Sequence, residues 1–567
     1  MMRSFSAGRC GHLTLCVVLF TLLFLSACGK GGGSSSSSGQ TGGSQTTPSA
    51  PTVTPAPTVT MSASASNVVA GGSVSLTVLA SNATQVVISD NCDTLTYTLS
   101  GIGGTQPITP STPGSCTYTA TASGATETAT ANATIVVKVP ATGPPTYSLQ
   151  SINHIIFMFQ ENHTFDSYFG QMNPYRASLG LSTDVDDLTN PSFALNPNPS
   201  YNAGAQGPPI APFKMKSACI EDLTPSWNES HTDRNLNAPS STTATPMNGF
   251  AYEAGAYATN NSLVDVTGKR AMGYYDQSVV NYYYFMAVQF AIGDRFFSPV
   301  MAKSEPNYLY ALAATSQGWI EVPTAQVSAP TIFNLLQNAG ISWKIYYTDA
   351  DPSTGKPDTY AGYFSKLTPY ISTNVVPLAQ YYTDLQNGTL PAVAFIDSGR
   401  ESGTDEHPST NVQTGAQKTE QIINALMQST SWSSSAFILS WDESGGYYDH
   451  VPPAATVNPD GIPPNIAGNP NDKSTFNDNF TWTGVRLPNL IISPFTKKGY
   501  VSHTPMDSTA ILKLIETRFG LPNLTLRDAA QPNMATEFFD FANAPNMTPP
   551  VPPVQLTNAP CYYNTLP

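Results

Sequence analysis

AFILSWDESGGYYDHVPP, residues 436–453, decides how the chain is read. Ala436, Phe437, Ile438, Leu439 and, after Ser440, Trp441 form a short, nearly continuous apolar run, the pattern of a strand buried on both faces. The run stops at Asp442-Glu443, a Gly-Gly turn returns the chain, and Asp449-His450 follow. Carboxylates at the C-terminal end of a buried strand, with a His brought back beside them, lie where open α/β sheets carry their chemistry. Read alone, the segment is equally a strand ending in a solvated acidic turn, and its counterparts elsewhere decide between the two.

Two such counterparts exist. The run IIFMFQ at 155–160 leads into Glu161-Asn162, and AVAFID at 392–397 precedes a loop carrying Asp405, Glu406, His407 and Pro408. Hard oxygen donors converging at one sheet edge are what a divalent cation needs. A single acidic pair is more often a turn or a cap; three at separate strand ends are less easily coincidence. Strands are expected at 152–159, 288–292, 343–347, 392–396, 437–441 and 487–493, with helices at 306–316, 331–339, 413–427 and 507–519. This alternation predicts an α/β fold with a doubly wound, mainly parallel sheet.

The 567 residues suffice for two or more domains, and only 11% are charged, with a formal net charge of -14. That balance excludes nucleic acid as a main partner and argues against electrostatic adhesion to an anionic membrane. Arg3 and Arg9 precede a short apolar run at 13–25 ending in Leu25-Ser26-Ala27-Cys28. This is a signal-peptide core followed by a bacterial lipobox-like motif, so Cys28 is expected to be lipidated and to anchor the protein at the outer membrane or cell surface. Ordinary cleavage near Ala27, giving a periplasmic or secreted protein, is the alternative. Four further cysteines, Cys92, Cys116, Cys219 and Cys561, suit an oxidising compartment. Cys92–Cys116 is the expected pair within the first domain, leaving Cys219 for Cys561. The expected organisation is a lipoprotein signal peptide at 1–27, a flexible Gly/Ser/Thr/Pro tether at 28–57, an immunoglobulin-like β-sandwich at 58–140, a catalytic domain at 148–545 and a tail at 546–567.

A nucleophile candidate lies in DRFFSPVMAKSEPNYLY, residues 294–310, where Ser304 precedes a helix opened by Pro306. A hydroxyl there feels the positive end of the helix dipole. The plain alternative is a helix cap.

Five blocks, 161–170, 294–310, 405–408, 441–453 and 484–503, together resemble the bacterial phosphoesterase family of phospholipases C and acid phosphatases, within the alkaline phosphatase-like superfamily. The resemblance covers roughly residues 151–522. It implies one divalent cation held by Glu161, Asn162, Asp442 and Glu443, with Ser304 as nucleophile. It also implies that His407, His450 and, less directly, His231 contact phosphate or protonate the leaving group, with Asp405 and Glu406 orienting His407. His163 stands where the family often has Arg, Ser508 where a His is common, and Lys303-Ser304-Glu305 is closer to the acid phosphatase form of the nucleophile loop. The expected activity is phospholipase C-type phosphodiester hydrolysis, on a phosphate ester that extends to phospholipid. Acid phosphatase and a non-catalytic surface adhesin are the alternatives.

Overall fold

The computed structural model describes residues 55–139, 146–189, 194–200, 205–241, 243, 245–398, 403–466, 476 and 478–562. The expected signal peptide, Cys28 and nearly all of the tether lie outside these residues. The chain divides into two compact units, Met1–Gly143 and Pro144–Pro567.

The first unit is all β. Strands Val74–Ser81, Gln85–Asp90, Thr96–Ser100, Gly114–Ser123 and Thr128–Lys138 fall on the alternating runs of the sequence. Period-two alternation turns Val74, Leu76 and Val78 inward while Thr77 and Leu79 face water. Gly114–Ser123 pairs antiparallel with both Gln85–Asp90 and Thr128–Lys138. Its core includes Val86, Ile88, Tyr118 and the fully buried Cys116, which is joined to Cys92.

The second unit is mixed α/β, built on an eight-stranded sheet. Its strands are β1 (His154–Gln160), β2 (Ala291–Gly293), β3 (Trp343–Tyr347), β4 (Val375–Pro377), β5 (Val393–Asp397), β6 (Ser435–Trp441), β7 (Asn489–Ile492) and β8 (Tyr500–Ser502). They lie in the order β4-β3-β5-β1-β6-β7-β2-β8. All neighbours run parallel except β7, which is antiparallel to both β6 and β2. Every residue of β5 and β6 is buried, as their unbroken apolar runs require, and each such Ile, Leu or Phe contributes about 1.5–3 kcal/mol by leaving water.

Two expectations shift. The run expected as a strand at 288–292 is split: Val288 belongs to the helix Asn281–Gln289, and only Ala291–Gly293 is strand. Only Asn281, Phe285 and Gln289 of that helix are partly exposed, so its buried last turn, Met286–Val288, reads like the start of a buried strand. The helix expected from 306 starts earlier, as α1 (Ser304–Ala313). The tail is held down: Gln555 is buried and donates to the Val279 carbonyl at 2.7 Å, and Cys561 is bonded to Cys219.

The register of the central strands builds the site. β1 and β6 are parallel with Gln160 opposite Trp441, so the next residues, Glu161 and Asp442, emerge side by side at the C-terminal edge.

Candidate active site

Ser304 is the first residue of α1, with Lys303 at the N-cap and Pro306 in the first turn. Its side chain does not cap the helix. The hydroxyl donates to Glu161 Oε2 at 3.2 Å and lies 3.5 Å from Asn162 Oδ1. The other Glu161 oxygen accepts the Tyr308 hydroxyl at 3.0 Å and the Tyr360 hydroxyl at 3.2 Å. Those two phenol rings stack with centroids 3.5 Å apart, which fixes the carboxylate from behind.

Asn162 has φ 62, a left-handed conformation that Asn tolerates better than most residues. Its N–H donates to Asp442 Oδ1 at 3.0 Å, while Asp442 Oδ2 is buried with no hydrogen-bond partner among the described residues. Glu443 Oε2 accepts the Gly445 N–H at 2.6 Å. Burial, reinforced by the charge of Glu161, raises the Asp442 carboxyl well above the usual range, and burial with the Asp442 charge does the same to Glu443. The four expected cation-binding residues and the serine thus meet at one strand edge.

Glu161, Asn162, Glu443 and Ser304 line a cavity of about 320 Å³ whose wall also includes His407, Lys303, Glu305 and Asp222, while Asp442 lies behind it, bonded to the Asn162 N–H. Lys303 is paired with Glu321 at 2.6 Å. Glu161, Asp222, Glu305 and Glu443 therefore crowd the cavity with carboxyl groups, which when ionised would repel a phosphate ester. A divalent cation fits these residues on both counts: it would neutralise that field, and Asp442 Oδ2 is an orphaned buried oxygen with hard-donor character.

A second group, Asp166, Asp449 and His450, has ligand atoms within 4.8 Å of one another. Arg486 already occupies it, 2.8 Å from Asp166 Oδ1 and 3.0 Å from Asp449 Oδ1. The guanidinium supplies the positive charge a metal would bring, so the first group is the better cation site.

The remaining predicted residues divide. His407 lines the cavity. Asp405 fixes backbone on either side of it: its carbonyl accepts the Glu161 N–H at 2.7 Å and its carboxylate accepts the His407 N–H at 3.1 Å. Burial and the neighbouring Glu161 push the Asp405 carboxyl up to about 7.

Glu406 is fully buried and is not placed to orient His407. It accepts from the Tyr168 hydroxyl at 2.6 Å, the Trp441 indole N–H at 3.1 Å, Gln160 at 3.3 Å and the Tyr283 hydroxyl. With φ 73 at Glu406, the side chain is carried away from the cavity into this cage.

The structure does not bring His450 or His231 into the cavity wall. His450 bridges Asp166 at 2.7 Å and Asp186 at 2.8 Å through its two ring nitrogens. Burial opposes its charge, but the two carboxylates outweigh it and push its pKa up to about 10. His231 is buried, with ring nitrogens 2.6 Å from the Trp227 carbonyl and 3.2 Å from Asp478. Both rings are spent on structural partners. Sequence reasoning missed Asp222, Tyr308 and Tyr360. Tyr308 had a usable signal, being one helical turn after Ser304 and so on the same face; the other two had none.

The chain belongs to the Phosphoesterase family, which matches residues 152–522, and it is a hydrolase of phosphoric esters. Phospholipase C B of Mycobacterium tuberculosis is 28% identical over 73% of this chain and 83% of its own length. Non-specific phospholipase C4 of Arabidopsis thaliana is 30% identical, over 67% of this chain and 70% of that protein. Non-hemolytic phospholipase C of Pseudomonas aeruginosa is 25% identical, over 71% and 59%.

Proposed function

We propose that this phosphoesterase is a phospholipase C-type phosphodiesterase with Ser304 as its nucleophile. The observation that carries the reading is the Ser304 hydroxyl aimed at Glu161 and Asn162 on the floor of the acidic cavity. Glu161, Asn162, Asp442 and Glu443 would hold one divalent cation, which when bound supplies Lewis acidity and neutralises phosphate charge.

Ser304 Oγ, already donating its proton toward Glu161, attacks phosphorus. The bond from phosphorus to the leaving alkoxide breaks, and a phosphoester remains on Ser304. His407 at the cavity wall delivers a proton to the departing alcohol oxygen. Water then attacks the same phosphorus while His407, now neutral, takes its proton; the bond from phosphorus to Oγ breaks, Oγ recovers its proton from Glu161, and the phosphorylated product leaves. Tyr308 and Tyr360 hold Glu161 in place throughout, and Asp405 sets the backbone that carries His407.

The named relatives support the diester reading. Acid phosphatase remains the second reading, on the Lys303-Ser304-Glu305 form of the nucleophile loop. The proposal extends to an alkaline phosphatase-like fold for the second unit, an immunoglobulin-like spacer at 58–140 and export with a lipid on Cys28. Among the described residues, no helix is long and apolar enough to cross a membrane.

The test is turnover of p-nitrophenylphosphorylcholine and p-nitrophenyl phosphate by the parent and by Ser304→Ala, with and without chelator. Diester hydrolysis that chelator stops, and that Ser304→Ala lowers by on the order of a thousandfold or more, is expected. Monoester hydrolysis alone identifies a phosphatase, and activity on neither ester leaves the adhesin reading.

A further inference from the structure

The loop after the helix Phe250–Asn260 reverses the usual placement of side chains. Asp265 is buried, 7% exposed, whereas its neighbours Val264 and Val266 are 63% and 44% exposed. Water does not favour that arrangement, and the loop is not loose enough to relax out of it. The Val264 and Asp265 N–H groups donate to the two oxygens of Glu221, at 2.7 and 2.9 Å. Asp265 in turn accepts the Arg270 N–H at 2.8 Å and the Thr267 hydroxyl at 2.6 Å. The buried acid thus braces the turn, and the two valines are held outward.

The brace continues into the catalytic cavity. Arg270 donates through Nε and Nη2 to the Asp222 carbonyl, at 3.0 and 2.9 Å. The Tyr257 hydroxyl donates to the Asp222 carboxylate at 3.2 Å, and both Tyr257 and Asp222 line the cavity. Val264 is therefore one hydrogen bond and one residue from the wall. A third exposed aliphatic, Val322 at 42%, follows Glu321, the partner of the cavity residue Lys303.

We propose that the Val264/Val266 loop docks on the surface of a bilayer of zwitterionic phospholipid and sets the cavity mouth against it. Rigid, outward aliphatic side chains on a loop hydrogen-bonded to Glu221, the neighbour of the cavity residue Asp222, fit the surface of the aggregate that a lipid-hydrolysing site works on. A chain of net charge -14 is repelled by an anionic surface, which leaves a neutral headgroup layer as the match. This rests on the phospholipase reading above.

Flotation with phosphatidylcholine vesicles tests it, using full chain carrying Cys28→Ser, so that no acyl anchor contributes, and Ser304→Ala, so that no lipid is consumed. Adding Val264→Ser and Val266→Ser is expected to lower vesicle partitioning by about tenfold or more. In the catalytically intact background the same pair should hydrolyse soluble p-nitrophenylphosphorylcholine within about twofold of the parent. Unchanged flotation overturns the proposal, as do binding confined to phosphatidylglycerol vesicles, loss of soluble turnover, or a valine-dependent dimer that does not float. A parent that floats through these valines but cleaves neither diester nor monoester leaves docking intact and sinks the phospholipase reading instead.

Discussion

A Cβ placed on Gly445 would lie 2.4 Å from the carbonyl oxygen of Asn162 and 2.8 Å from its Cβ. Gly445 also has φ +64, so the position excludes side chains both sterically and conformationally. Gly445→Ala must push Asn162 away from Ser304. Turnover is expected to fall by tenfold or more, and the folded state to lose more than the about 1–2 kcal/mol that the left-handed backbone alone costs a residue with a Cβ. Kinetics alongside denaturant melts check this, and an unchanged kcat would mean that the position of Asn162 does not matter.

His450 makes stability depend on alkaline pH. Its folded pKa, about 10, is above its ordinary 6.5, so the stabilisation is complete below 6.5 and is lost as pH rises through 10. The full effect is on the order of 5 kcal/mol. Unfolding free energy should therefore decline across that window in the parent. His450→Gln should be less stable at neutral pH and show a flatter profile; parallel profiles in urea titrations would refute the assignment.

Glu406 should matter to folding through its shape and oxygens rather than its charge. Burial pushes its carboxyl up to about 7, and four donors surround it. Glu406→Ala strands those donors in a dry cage, at a cost of about 3 kcal/mol or more. Glu406→Gln keeps the volume and one acceptor, and should recover much of that loss. Thermal melts together with turnover of the two variants distinguish this from an orienting role, in which Gln would restore stability but not turnover.

The bond between Cys219 and Cys561 pins the C-terminal segment beside the strip of chain that reaches the cavity at Asp222. Replacing both with serine is expected to cost about 2–5 kcal/mol and raise KM more than it lowers kcat. Equal loss in both constants would place the effect on Ser304 rather than on the wall.

The sheet centre was legible because β1, β5 and β6 are buried on both faces, and a strand with no wet side must be written in unbroken apolar letters. Their polar termini stood out against that background, so Glu161-Asn162, the 405–407 loop and Asp442-Glu443 could be grouped from the strand ends, while the family resemblance singled out Glu161, Asn162, Asp442 and Glu443 to hold a cation. The direction of β7 could not be read, since Leu490 and Ile491 look the same in either orientation. Nor could the fates of His450 and His231, whose partners Asp166, Asp186 and Asp478 are distant in sequence or carry no motif. Asp222 was invisible for the same reason. A polar residue declares its chemistry in sequence but not the neighbour on which it will spend it.

The link from Cys219 to Cys561 spans 342 positions and encloses Ser304, His407, Asp442 and Glu443 within one covalent ring. A protease that severs a surface loop inside that ring produces no separate fragments. The cut halves stay tethered, and with β1 hydrogen-bonded to β6 Asp442 keeps its place beside Glu161. Clipped but working enzyme is the outcome such a clasp secures wherever hostile peptidases abound.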